Sequence, residues 1–186
     1  MRIILASTSP ARTELLTAAG IPHQVTAPNV SEDLNGEPLQ IAQRLARAKA
    51  ESVALAHPEA LVIGADQVVS LDGVAYGKPD DVRAARRQLS MLAGRMHELI
   101  TAVAVANRSE TRTDHEIARL EMRALDAGEI ERYLATNEWI GCAGSYRIEG
   151  RGIALFSSIE GDFTAIRGLP MIRLSELLRR FGVPLP

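Results

Sequence analysis

Strand-like and helix-like runs alternate along the 186 residues, and few folds accommodate that order. Residues 2–6 read as a short buried strand. Ser9 as N-cap and Pro10 as first helical residue then open a helix to about Ala19, before Gly20. Residues 23–25 read as a second strand, 28–36 as a polar loop and 38–57 as a long helix. A rich apolar strand is expected over 61–71, with Asp72-Gly73 as turn chemistry and 74–76 as its partner. Asp80 is expected to cap a helix to about Leu92. Residues 98–107 and 112–123 read as long antiparallel neighbours, and Asp126 as the cap of a helix to Ala135. After the glycine-rich stretch 141–152 come a strand over 153–159 and a last helix over 170–181. One antiparallel pair within this alternation predicts an α/β fold with a mixed sheet. No repeat or long linker interrupts it, so 1–186 reads as one domain with room for two lobes around a cleft.

Composition removes several function classes. A formal net charge of −2 argues against a general attraction to nucleic acid or anionic membrane. The one cysteine, Cys142, rules out an internal disulfide and a cysteine-rich zinc site. No apolar stretch approaches the roughly 20 residues that span a bilayer. The opening residues lack the layout of a secretory signal. A cytoplasmic protein is expected.

The residues able to carry chemistry stand at element junctions. Ser7-Thr-Ser-Pro-Ala-Arg12 lies where a strand passes into a helix, and the free N–H groups there make an anion site. Arg12 in the first turn is mildly unfavourable unless an anion binds; otherwise it is a surface arginine on a capped helix. Lys49 falls on the apolar stripe of Leu39, Ala42, Ala46 and Val53, while Arg44, Arg47 and Glu51 share the opposite face. A lysine so placed must snorkel, find a carboxylate or point into a cleft; a cleft lysine reaching phosphate is the reading taken. It and Lys78 are the only lysines among 21 basic residues, which marks places where a compact ammonium is wanted.

Asp66 closes the apolar run Ala60-Leu-Val-Ile-Gly-Ala, where a charge is costly unless paired or set at a strand end that ligands approach. A metal ligand or general base fits, against a carboxylate that caps a helix or pairs with an arginine. Gly77-Lys78-Pro79 is no P-loop, because proline stands where Ser or Thr should hold magnesium, yet Lys78 can contact phosphate from a loop. Gly94-Arg95 adds a candidate anion contact, and His97 reads as structural. Glu32-Asp33 is an acidic loop pair that matters only if the fold brings it to Asp66. Ser7 and Ser9 lack a Ser-His-Asp grouping, so covalent hydrolysis is not expected.

Together these segments resemble the Maf family of nucleoside triphosphate pyrophosphatases across essentially the whole chain. The resemblance rests on Leu5-Ala-Ser-Thr-Ser-Pro-Ala-Arg12, Glu14-Leu-Leu, Glu32, Ala46-Arg-Ala-Lys-Ala50, Ile63-Gly-Ala-Asp-Gln67 and Gly77-Lys-Pro79. It extends through Gly94-Arg95, Cys142-Ala-Gly-Ser-Tyr146, Glu149-Gly150 and Gly168-Leu-Pro170. It implies an elongated fold with a central substrate cleft, related to the inosine triphosphatases and often dimeric. It implies further a divalent metal (Mg²⁺, Mn²⁺ or Co²⁺) held by Glu32 and Asp66, and Asp66 as proton acceptor. Ser7, Arg12, Lys49 and Lys78 surround the triphosphate. Gln67, Cys142-Ala-Gly-Ser and Glu149 resemble the branch active on 7-methyl-GTP, whereas Ala11 departs from that branch and from the dTTP/UTP branch. A carboxylate at Glu149 can accept from guanine N1–H and the exocyclic amine, and it attracts the cationic methylated ring. The alternatives are a dTTP/UTP or ITP/XTP pyrophosphatase and, in another class, a nucleotide-binding regulator of cell division with little catalysis.

Overall fold

The computed structural model describes residues 2–185. In chain order it forms β1 (Arg2–Ala6), α1 (Pro10–Ala18), β2 (Gln24–Thr26), α2 (Pro38–Ala54), β3 (Ala60–Leu71) and β4 (Val74–Tyr76). Then come α3 (Val82–Leu92), β5 (Met96–Ala106), β6 (Thr111–Met122), α4 (Ala127–Leu134), β7 (Phe156–Glu160), α5 (Phe163–Ile166) and α6 (Met171–Arg180). The expected α/β architecture forms, around one mixed sheet of order β2-β1-β3-β5-β6-β7 with β4 also on β3. β1 runs parallel to β2 and β3; the β3–β5, β5–β6 and β6–β7 pairs are antiparallel. No helix among the described residues is long and apolar enough to cross a membrane. Met1 and Pro186, the ends of the expected domain, lie outside the described residues.

The organising element is β3. One edge pairs with β5 from Val62 to Ser70, nearly its whole length. The other edge is divided: β1 takes it up to Gly64 and β4 takes it from Val69 onward. Between the two partners the edge is open at residues 65–68, and Asp66 lies in that fork. The sequence places Asp66 at the end of an apolar run. The strand in fact continues five residues beyond it, and what ends there is the flanking strand.

Alternation along β3 sends Val62, Gly64, Asp66 and Val68 to one face and Ile63, Ala65, Gln67 and Val69 to the other. α2 covers the first face through Ile41, Ala42, Leu45, Ala46, Ala50 and Val53, with Ile4, Val62, Val68 and Ile100 opposite. The other face carries two clusters. At one end Leu15, Leu16, Leu174 and Leu178 pack on Ile63 and Val105; at the far end Leu89, Leu92, Ile130 and Tyr133 pack with Val69, Leu71 and Leu99. Gln67 sits between them.

Gly64 fixes how closely α2 approaches. A Cβ there would stand 2.3 Å from the Ala46 carbonyl oxygen and 2.6 Å from the Ala50 nitrogen, both backbone atoms that cannot turn aside. Gly64→Ala is therefore expected to lift α2 from the sheet at a cost of about 1–3 kcal/mol. Urea unfolding measures it, and a wild-type midpoint would show that the helix yields freely.

Several boundaries differ from expectation for local reasons. Asp81, not Asp80, caps α3, its carboxylate accepting from Ala84 N–H. β7 starts at Phe156 instead of residue 153, because Arg151–Leu155 wind into a 3-10 turn. That turn is set by the Glu138 carboxylate, which accepts from the Arg151 N–H, and by Gly152, whose missing Cβ would meet the Arg147 carbonyl at 2.3 Å. α5, four residues capped by Asp162, is too short for a periodic signal. α4 follows its expected cap, with a reciprocal Asp126–Glu129 capping box.

His97 belongs to the far cluster. It is buried, its Nε2 lies 2.9 Å from the Tyr146 hydroxyl, and its ring tilts against Tyr146 and Phe156. Burial pushes its pKa from 6.5 down to about 4. The folded chain thus binds fewer protons than the unfolded one between those values. The stability this group contributes is full above pH 6.5 and lost as the pH falls through about 4, amounting to about 3 kcal/mol. His97→Gln is expected to flatten the acid side of the stability curve over that window, read by denaturant unfolding at pH 7, 5.5 and 4.5.

Candidate active site

The fork in β3 opens into a cleft of about 600 Å³ between the two clusters. Ser7, Ala11, Arg12, Glu32, Lys49, Asp66, Gln67, Lys78 and Glu149 all line it. The close contact at Gly64 seats α2 so that Lys49, one turn past Ala46, lies beside the fork. Lys49 and Asp66 are both buried, and Nζ stands 2.6 Å from Asp66 Oδ1 and 2.6 Å from Glu32 Oε1. Of the three outcomes open to a stripe lysine, this one combines two: it finds carboxylates and lines the cleft. Glu32 reaches in from the loop before α2, and its second oxygen stands 4.0 Å from Lys78 Nζ.

Burial raises the pKa of Asp66 above the ordinary aspartate value, against the opposing charges of Lys49 and Arg12. Glu32 ends lower than usual. Burial pushes it up, but its hydrogen bond and charge contact with Lys49, together with Lys78 and Arg12, outweigh that. Two carboxylates at one amine are thus driven apart, the inner one toward basicity and the outer one toward firm ionisation.

α1 begins at the rim. Ser9 holds the N-cap position without a side-chain capping bond, while Ser7 Oγ accepts from the Ser9 N–H. The first-turn N–H groups of α1 therefore keep their capacity for an anion. Arg12 is held on two sides, donating from Nη1 to Ser7 Oγ at 3.0 Å and from Nε to the Gly168 carbonyl at 2.8 Å. Burial lowers its pKa, and the charges of Asp66 and Glu32 partly restore it. Lys49, Lys78 and Arg12 bring three cations to one end of the cleft. Leu99, Ile148 and Ile166 add apolar surface to the lining, which also carries Gln67 and Glu149 as polar groups. The Gln67 amide donates to Thr101 Oγ1 at 2.9 Å and to the carbonyls of Ala165 and Ile166, which directs its own carbonyl away from them.

One expected site residue lies elsewhere. Arg95 does not line the cleft; its guanidinium pairs with Asp72 at the β3–β4 turn, across 23 residues of sequence, and the anion contact expected of it is withdrawn. Conversely, Arg147 and Arg167 line the cleft without having been singled out by sequence. Among 19 arginines neither sits on a periodic stripe that would have marked it.

Among the described residues no group of three His, Cys, Asp or Glu gathers to hold a metal ion. Glu32 and Asp66 each give one oxygen to Lys49, and the second oxygen of Glu32 stands 4.0 Å from Lys78 Nζ. Such a donor set fits a hard cation of the Mg²⁺ kind, which takes one or two carboxylates and draws its remaining ligands from bound phosphates and water.

Comparison with known proteins identifies the family. A family model described as Maf-like protein matches residues 2–181. The chain is 43% identical over 187 residues to the 7-methyl-GTP pyrophosphatase of Syntrophotalea carbinolica, covering 97% of this chain and 95% of the relative. It is 45% identical over 189 residues to the 7-methyl-GTP pyrophosphatase of Xanthomonas campestris pv. campestris, covering 100% and 98%. The dTTP/UTP pyrophosphatase of Dictyoglomus thermophilum shares 43% over 188 residues, covering 98% and 97%. With a match over nearly its whole length and relatives at this identity, the chain belongs to the Maf family.

Proposed function

We propose that the protein is a nucleoside triphosphate pyrophosphatase that cleaves the α–β phosphoanhydride and releases a nucleoside monophosphate and pyrophosphate. The observation that carries this is the convergence of Arg12, Lys49 and Lys78 with Glu32 and Asp66 in a cleft that Leu99, Ile148 and Ile166 also line. A triphosphate needs the charged groups and a base needs the apolar surface. Lys49 holds Oδ1 of Asp66, so Oδ2 is the proton acceptor. Its raised pKa makes it a better base than an ordinary aspartate. Water loses a proton to Asp66 as its oxygen attacks the α-phosphorus, the bond to the bridging oxygen breaks, and pyrophosphate leaves. Arg12, Lys49, Lys78 and the α1 N-terminus stabilise the charge on the transferring phosphoryl and on the leaving group. Glu32 and Asp66 would hold a Mg²⁺, Mn²⁺ or Co²⁺ ion, whose contribution is to offset the charge of the triphosphate.

For the base we propose 7-methylguanine. Support comes from the Glu149 carboxylate in the cleft wall, which suits a ring that is cationic and presents N1–H and amine donors. Relatives named for dTTP and UTP at equal identity favour a pyrimidine substrate as the second reading. Pyrophosphate release from 7-methyl-GTP, GTP, UTP, dTTP and ITP, each with the three metals, separates them. Fastest turnover of 7-methyl-GTP is expected. A clear preference for UTP or dTTP removes the base assignment, and no release from any of the five removes the reaction.

A further inference from the structure

The segment 165–168, the end of α5 and the turn that follows it, holds both Gln67 and Arg12 of the cleft. The carbonyls of Ala165 and Ile166 accept from Gln67, and the Gly168 carbonyl accepts from Arg12. Between these fixed points stands Arg167. Its Nη2 donates to Glu14 of α1 at 2.8 Å, and its guanidinium carbon lies 5.9 Å from the centroid of the Phe163 ring. Its Nε lies 3.8 Å from Glu149 Oε1, beyond hydrogen-bond range, and is buried with no hydrogen-bond partner. A buried donor left open is costly unless something completes it. The acceptor it faces is the Glu149 carboxylate in the cleft wall. A shift of under an ångström in Glu149 closes that bond.

We propose that Arg167 is a positioning residue for base selection, holding the Glu149 carboxylate in place so that it meets a base that presents N–H donors. This rests on the nucleotide reading above. The fixed backbone on either side and the Glu14 contact deny the guanidinium the freedom of an ordinary surface arginine. Glu149 also stands close enough to Cys142 to act on its thiol electrostatically, and both residues line the cleft. With Arg167 replaced by a neutral side chain, Glu149 loses its only salt-bridge partner among the described residues and its orientation with it. The affected quantity is discrimination between bases, and the triphosphate end, 2.8 Å contacts and all, keeps Arg12, Lys49 and Lys78.

Binding of the product-like monophosphates tests this apart from catalysis. Titration calorimetry with 7-methyl-GMP and UMP is run on wild type, Arg167→Met, Arg167→Lys, Glu149→Gln and the double variant, alongside kcat and KM for the two triphosphates. Arg167→Met is expected to weaken 7-methyl-GMP and raise the KM for 7-methyl-GTP about tenfold, with UMP and kcat little changed. It should add little to Glu149→Gln, and Arg167→Lys should restore part of the loss. Glu14→Gln, at an exposed carboxylate, loosens the same clamp and gives a smaller effect in the same direction if Arg167→Met fails to fold. Equal losses for both bases, or additive effects of Arg167→Met and Glu149→Gln, overturn the proposal. Binding selectivity without pyrophosphate release in wild type would instead sink the pyrophosphatase reading and leave the positioning role standing.

Discussion

Asp66→Asn is expected to lower kcat by about 10²–10⁴-fold, the range associated with a lost general base. The substitution is nearly isosteric, so α2 should keep its seat on Gly64, and Lys49 keeps Glu32 as an anionic partner at 2.6 Å. Nucleotide affinity should therefore change little, because the three cations remain and one negative charge near the triphosphate is gone. The combination is diagnostic: single-turnover pyrophosphate release falls while a nonhydrolysable analogue still binds. Turnover within a factor of two of wild type would take Asp66 out of the base role, and simultaneous loss of binding would mean that the carboxylate holds the site together instead.

Lys49→Met produces a different failure. It leaves Asp66 and Glu32 facing one another without the ammonium that both contact. Removing one partner of a buried ion pair typically costs about 3–5 kcal/mol, since the remaining charge stays desolvated. Burial already raises the pKa of Asp66, and Lys49 is the largest influence opposing that rise. Without it the folded-state pKa climbs further above the unfolded value. A carboxyl shifted in that direction contributes stability that is full below the unfolded pKa and is lost as the pH rises through the folded one. The deficit of Lys49→Met relative to wild type should thus be larger at pH 8 than at pH 5, and denaturant unfolding at the two pH values measures it. A pH-independent deficit would indicate that packing of the lysine stem, not its charge, is what the site needs. Turnover should fall together with stability at neutral pH, as the transition state also loses a cation.

These two residues show what could be read in advance. Lys49 was conspicuous because a helix repeats every 3.6 residues, so a charge on the apolar stripe stands out without any knowledge of the fold. Asp66 was conspicuous for a similar reason, as the one charge ending a run of small and branched residues. The helix ends were also largely legible, since Pro10, Pro38 and Asp126 act on the backbone within one turn. The division of the edge of β3 between β1 and β4 was not. It depends on pairings between segments up to about sixty residues apart, and nothing in the local pattern of 60–71 says where one neighbour stops. Arg95 is illegible for the same reason: its partner Asp72 sits 23 residues back at the β3–β4 turn, and a glycine-arginine pair looks alike beside a phosphate or beside a turn carboxylate. Asp80 and Asp81 were equivalent as caps until the buried faces of Ala85 and Leu89 fixed the helical phase.

The unpaired stretch of β3 has a consequence for inhibitor chemistry. On that edge residues 65–68 pair with no strand among the described residues, and Asp66 and Gln67 of this stretch line the cleft. Main-chain groups that face the cleft along this rung are ones point substitutions cannot delete, because every residue except proline carries the same two groups. A compound built with a short peptide-like arm to dock along this rung would draw part of its affinity from atoms that resistance mutations leave untouched.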